Sequence, residues 1–218
     1  YTVDRFAVYG SQASKLTAQQ SSVAPTGFSN SLLVTSSSAY SITSADEFLL
    51  AQTIEGLNTA DLSWGSASGK YVTLSFWVRS SLTGTFSGAI KNSAYDRTYV
   101  FTYTISSANT WQQVSIAIPP ETSGTWLTTN GIGIRIWFSL GTGSTYLTSS
   151  TNTWLSGTTY DGATGQTNLV ANNGATWYVT GVQLEKGATA TPFENRLYGT
   201  ELALCQRYYW NAVSGNSS

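Results

Sequence analysis

The stretch "YVTLSFWVRS", Tyr71–Ser80, decides the fold class. Val72, Leu74, Phe76 and Val78 are apolar at every second position, with Thr73, Ser75, Trp77 and Arg79 between them. Side chains of an extended chain point alternately to opposite faces, so a period of two predicts a strand with one face in a core. "GIGIRIWFSL", Gly131–Leu140, repeats the pattern, with Ile132, Ile134, Ile136 and Phe138 set against Gly133, Arg135, Trp137 and Ser139. On the face opposite the aliphatic one, each strand carries a Trp close to an Arg.

The same reading applies to "WQQVSIAI", "RTYVFTYTI", "TFSGAIKN", "DRFAVYG", "SKLTAQQ", "SLLVTS", "EFLLAQTIEG" and "ATWYVTGVQLE". These make ten strands separated by Gly, Ser, Asn and Pro. Many antiparallel strands with almost no helix predict two packed sheets, here an all-β, jelly-roll-like antiparallel β-sandwich. Two loops break the rhythm, Pro119–Asn130 and Gly141–Asn173, and the second is long for a compact domain. One helix is expected, "GTELALCQRYYW", with Thr200 as its cap, Glu201 in its first turn and Arg207 near its end. The division expected is a sandwich over 1–198, a short C-terminal helix over 199–210 and a disordered polar tail over 211–218.

Composition removes several kinds of chemistry. Charged residues are 10% of the chain and the net charge is -1, so no basic stripe exists for phosphate contacts and nucleic-acid binding is not expected. No apolar run is long enough to span a bilayer, so membrane insertion is not expected. The chain has no His, which rules out the usual His-dependent nucleophile arrangements and most transition-metal sites. The one cysteine, Cys205, lies among Leu202, Leu204 and Tyr208 and reads as a packed thiol with no base to activate it. Calcium held by Asp61 or Asp161 finds no supporting ligand spacing. No metal, cofactor or catalytic residue is expected. A glycosidase needs two carboxylates, but the acidic residues are scattered singly: Glu55 and Glu185 end strands, Asp4 starts one, and Asp161 sits in a loop turn.

Aromatic residues are the strongest signal, with Trp 8, Tyr 13 and Phe 8. Phe48, Phe76 and Phe138 read as core. Trp77, Arg79, Arg135 and Trp137 are candidates for a ligand or interface. Were their two strands neighbours, one face would carry two Trp and two Arg, the composition of a binding groove or a protein interface. The competing reading is a second core layer under a helix or long loop. Trp126, Tyr146, Trp154 and Tyr160 lie in the long loops, where they serve either as a recognition surface or as pins holding the loops to the body.

The C-terminal run "GVQLEKGATATPFENRLYGTELALCQRYYW" resembles a segment common in tail-fibre and other virion appendage proteins of tailed bacteriophages. There a last strand ending in "VQLE" (Val182–Glu185) precedes a "G-x-x-A-T-P-F-E" turn (Gly187, Ala190–Glu194) and an "E-L-x-x-C-Q-R-Y-Y" helix (Glu201–Tyr209). "SFWVRSS" and the Gln52–Gly56 strand are similar to the jelly rolls of such phage domains and of many carbohydrate-binding modules. The resemblance implies a non-catalytic virion module that self-associates, with a trimer favoured. It implies virion partners, a virion location, contact with host-surface glycans, and a chain that continues past Trp210. Two other readings stay open: a carbohydrate-binding module of a secreted multidomain protein, and a polysaccharide depolymerase.

Overall fold

A computed structural model of the chain describes residues 6–157 and 160–206, apart from the Cys205 side chain. The chain forms thirteen strands among the described residues: β1 (Ala7–Gly10), β2 (Leu16–Ser21), β3 (Ser31–Ser36), β4 (Glu47–Glu55), β5 (Val72–Ser80), β6 (Gly84–Lys91), β7 (Arg97–Ile105), β8 (Gln112–Ile118), β9 (Ile132–Thr142), β10 (Leu147–Thr148), β11 (Trp154–Ser156), β12 (Gly162–Ala163) and β13 (Thr176–Lys186). One helix follows, α1 (Tyr198–Gln206). All ten expected strands are present. The three short ones, β10, β11 and β12, lie inside the long loop, where no alternation announced them.

Two sheets form the sandwich. The first has the order β1-β4-β9-β6-β7-β11 and the second β2-β3-β13-β5-β8, with every pairing in both antiparallel. Apart from the β2–β3 and β6–β7 hairpins, the chain passes repeatedly from one sheet to the other, giving a jelly-roll sandwich. The parallel pair β10–β12 is a separate ribbon.

The alternation read in β5 and β9 is realised residue by residue. Val72, Leu74, Phe76 and Val78 of β5 have no solvent exposure, and Ile134, Ile136, Phe138 and Leu140 of β9 are equally buried. The inner faces meet in an aromatic centre of Phe76, Phe86, Phe101, Tyr103, Phe138 and Trp177. Trp177 brings a polar N–H into this core, and its Nε1 donates to the Tyr103 hydroxyl at 3.2 Å. Burial lifts the Tyr103 hydroxyl well above its ordinary range, so it stays protonated.

β13 bends where its register against β5 shifts between Thr180 and Gln183. Gly181 sits at that shift with φ +58°, and a Cβ there would stand 2.6 Å from the Phe28 ring. Glycine alone meets both demands without strain.

The helix differs in detail from expectation. It starts at Tyr198, and the Thr200 and Glu201 amides both donate to Leu197 O, so Thr200 lies within the first turn and does not cap it. Arg196 pairs with Glu201 at 3.1 Å and with Glu194 at 3.6 Å. The helix leaves Leu197, Tyr198, Leu202 and Leu204 exposed. The expected packing of Cys205, the role of Arg207, and the polar tail lie outside the described residues.

Candidate functional site

β5 and β9 belong to different sheets, so the condition for a joint face of two Trp and two Arg is not met. Phe76 and Phe138 face each other across the core, with ring centroids 5.1 Å apart. Their neighbours Trp77 and Trp137 therefore point out on opposite sides of the sandwich, each accompanied by its own Arg. The two outer faces have different fates.

On the first sheet the long loop lies over the outer face. The β10–β12 ribbon places Asp161, whose amide donates to Tyr146 O at 2.8 Å, above β6. Ala163 and Tyr160 pack on Ala89 and Val100, which makes a small second core layer. Asp161 pairs with Lys91, and neither side chain has any exposure. Lys91 Nζ also lies 4.1 Å from the centroid of the Trp137 ring, and Arg135 Cζ lies 4.4 Å from that of Tyr95. Tyr95 holds φ +61° in the β6–β7 turn, a strained conformation for an aromatic residue, and stacks at a tilt on Trp137. Arg135 Nε and Asp161 Oδ2 are buried without a hydrogen-bond partner among the described residues. Burial, and then the Glu47 carboxylate beside it, push the Asp161 carboxyl up to about 8, while burial pulls Lys91 down. Asp161 is thus no solvated turn residue but the key of a buried latch. Trp137 and Arg135 border that layer through Lys91 and Tyr95, but they keep the same intermediate exposure as Trp77 and Arg79.

The loop tryptophans are pins. Trp126 and Trp154 join Trp64 in a cluster of edge-to-face rings, with centroids 4.7, 5.2 and 5.5 Å apart. Trp154 Nε1 donates to Pro119 O at 2.9 Å and Trp126 Nε1 to Ser123 O at 3.1 Å, tying the two long loops together. Arg97 adds a half-buried ion pair to Glu121 at 2.7 Å. Tyr146 supplies its backbone carbonyl to the latch.

The outer face of the second sheet is not roofed in this way. Cross-strand pairing puts Arg79 beside Tyr178, Trp77 between Thr180 and Gln113, and Ser75 between Gln183 and Ser115. Trp77, Arg79, Trp111 and Tyr178 are all half-exposed. The Arg79 guanidinium lies 5.1 Å from the Tyr178 ring centroid, and Trp111 meets Tyr178 edge-on at 6.0 Å. Among the described residues Trp77 makes no stacked-ring or cation–π pair, although its Cδ1 edge lies beside Gly181 and the Phe28 ring. Trp111, Gln113 and Tyr178 were not singled out from the sequence. Tyr178 could have been, since it alternates with the core residues Trp177 and Val179.

One end of this face is crossed by the segment after β13. Thr191 donates from its amide and hydroxyl to Glu185, at 2.8 and 2.6 Å, and the Glu194 amide donates to Gln183 Oε1 at 2.9 Å. Phe193 packs on Phe28 with centroids 5.2 Å apart. Burial works against the charge on Glu185, but the Thr191 and Gln183 hydrogen bonds prevail and hold its carboxyl below the usual range. Glu185 is therefore more than a strand end. It and Gln183 strap the turn that carries Ala190–Glu194 onto the sheet. Between this strap and β8 runs an open groove of about 490 Å³ lined by Gln113, Ser115, Ala190, Thr191 and Pro192. Trp77, Gln113 and this groove form one continuous polar and aromatic surface. No group of three or more potential metal-ligating side chains occurs among the described residues.

No family model and no curated protein matches this chain. Among solved structures it is similar to the enzymatically active domain of tailspike protein 4 of bacteriophage CBA120, at 13% identity and a TM-score of 0.48 over 84% of this chain and 19% of that one. The chain thus spans about one fifth of the length of that tailspike chain. It is also similar to a putative sugar-binding protein of Bacteroides thetaiotaomicron, at 13% identity and a TM-score of 0.47 over 84% of this chain and 87% of that one. A family 11 carbohydrate-binding module of Clostridium thermocellum is similar at 16% identity and a TM-score of 0.43, covering 86% of this chain and 91% of the module. At these identities and TM-scores the likenesses decide nothing about function, and the sandwich assignment stands on its own strand order.

Proposed function

We propose that this chain is a non-catalytic, glycan-binding jelly-roll module of a phage virion appendage, a fibre or a capsid decoration, that assembles through self-association. The observation that carries the binding reading is the half-exposed Trp77, whose ring has no stacked partner among the described residues, with Arg79, Tyr178, Trp111 and Gln113 around it. A sugar ring offers an apolar face to an aromatic plane and hydroxyls to neighbouring amides and guanidinium groups, and this face supplies both. Asp161, beside the half-buried Glu47, does not serve a glycosidase, because it has no exposure and Lys91 is paired with it.

The virion reading rests on the run Val182–Tyr209, and the turn within it has a mechanical part here, strapping the last strand through Gln183 and Glu185. Self-association is supported by Leu197, Tyr198, Leu202 and Leu204, an exposed apolar group at the end of the body.

Binding is tested with Trp77→Ala on a glycan array, with circular dichroism as the folding control. Loss of a glycan signal with the spectrum intact supports the reading, and unfolding of the variant would assign Trp77 to packing instead. Light scattering at micromolar concentration tests assembly, and a monomer there counts against the appendage role.

A further inference from the structure

Resting on the glycan-binding reading, we infer that Arg79 makes this face selective for saccharides that carry a carboxylate, as uronic and sialic acids do. The Arg79 guanidinium is held on two sides. Its Nε donates to Asn109 O at 2.8 Å, and one face lies 5.1 Å from the Tyr178 ring centroid. Asn109 is itself fixed, with φ +56° and its amide donating to Ser80 O at 2.6 Å. This orients the group and leaves the Nη1 and Nη2 edge for a ligand. Such a fork matches the two oxygens of a carboxylate in a bidentate pair, which a point charge such as Lys cannot reproduce.

Among the described residues no carboxylate engages Arg79. Among the described residues the ion pairs involve Lys91, Arg97, Lys186 and Arg196. On the same outer face the carboxylate of Glu185 pairs in register with Thr73, six residues along β5, which is roughly 20 Å away. That carboxylate accepts hydrogen bonds from Thr191 and Gln183 and keeps its negative charge at the far end of the face. Arg79 is nearer to Trp77 along β5 than that carboxylate is, two residues against four.

The spacing suits a sugar chain. Arg79 and Trp77 lie two residues apart on one strand face, about 7 Å. One ring stacked on Trp77 places its own or its neighbour's carboxylate at Arg79, and the chain continues past Gln113 toward the groove with Ser115 and Thr191. The ligand runs along β5 and β8, with its acidic group at the Arg79 end.

Calorimetric titration of the full chain tests this with four probes: a galacturonate tetramer, its methyl ester, a sialic acid tetramer and a neutral galactose tetramer. The expected result is at least tenfold tighter binding of one or both free acids than of the ester and the neutral chain, weakening with salt. Arg79→Gln is expected to abolish that preference and Arg79→Lys to restore only part of it. The two acids separate uronate from sialate recognition. Equal binding of acid, ester and neutral chain overturns the selectivity while the glycan reading stands. No binding of any probe overturns the inference along with its basis. The probe comparison uses the wild-type chain, so it decides the matter even where Arg79→Gln fails to fold.

Discussion

Phe76 and Phe138 pack edge-to-face across the core at 5.1 Å and 81°. Each is followed or preceded on its strand by a Trp, and the pleat turns those Trp residues away from each other, to opposite exteriors. This one contact splits the four Trp and Arg candidates into two pairs with separate roles. Phe76→Ala is expected to cost about 3–5 kcal/mol. Trp77→Ala, half-exposed on the same strand, should cost well below that. Urea denaturation of both variants compares the two, and equal losses would contradict the assignment of Trp77 to a surface.

The Trp177 indole depends on Tyr103. Both are buried and Nε1 has the phenol as its acceptor. Tyr103→Phe keeps the ring and strands the N–H, so a loss of about 1–3 kcal/mol is expected. A neutral result in chemical denaturation would mean that the indole finds another acceptor.

The Asp161 latch has a definite pH signature. Its carboxyl is raised from 3.8 to about 8 in the folded chain, so the folded state keeps a proton that the unfolded chain has released. The stability this contributes is fully present below about pH 4 and is lost as pH rises toward 8. Asp161→Asn mimics the protonated form, so the stability difference between wild type and variant should shift against wild type across that window. Unfolding free energies from about pH 4 to about pH 9 measure it, and a constant difference would sink the latch account.

The strap behaves in the opposite sense. Glu185 is lowered from 4.5, so its contribution is present above that value and is lost as pH falls through the lower folded value. Glu185→Ala removes the acceptor of the Thr191 amide, and hydrogen exchange there should speed up about tenfold or more at pH 7, equivalent to a loss of about 1.4 kcal/mol of local protection. In wild type the protection factor of that amide, taken against the intrinsic exchange rate at each pH, should fall on acidification through the Glu185 titration.

The sandwich was legible because alternation is a local property: any strand half-buried against a core must show it, and all ten expected strands did. Strand neighbours were not legible, because alternation says which residues share a face and nothing about which strand lies alongside. Nor were the Trp111–Tyr178 contact or the Lys91 and Tyr95 contacts of Trp137, since these depend on which strands and turns lie alongside. The same limit explains Asp161, which reads as a turn residue and becomes buried only because the β10–β12 ribbon carries it onto Lys91.

Fold class, the inward or outward parity of each major strand and the lack of histidine can all be read from residue types and a two-residue period. That β5 and β9 sit back to back, that Trp137 and Arg135 are engaged by Lys91 and Tyr95, and that Trp77 and Arg79 face outward beside Tyr178 and a groove emerges only in the folded chain. The physical reason is that burial of an outer sheet face is set by long-range packing of loops and a C-terminal strap, whose energies reside in contacts between residues far apart in the chain.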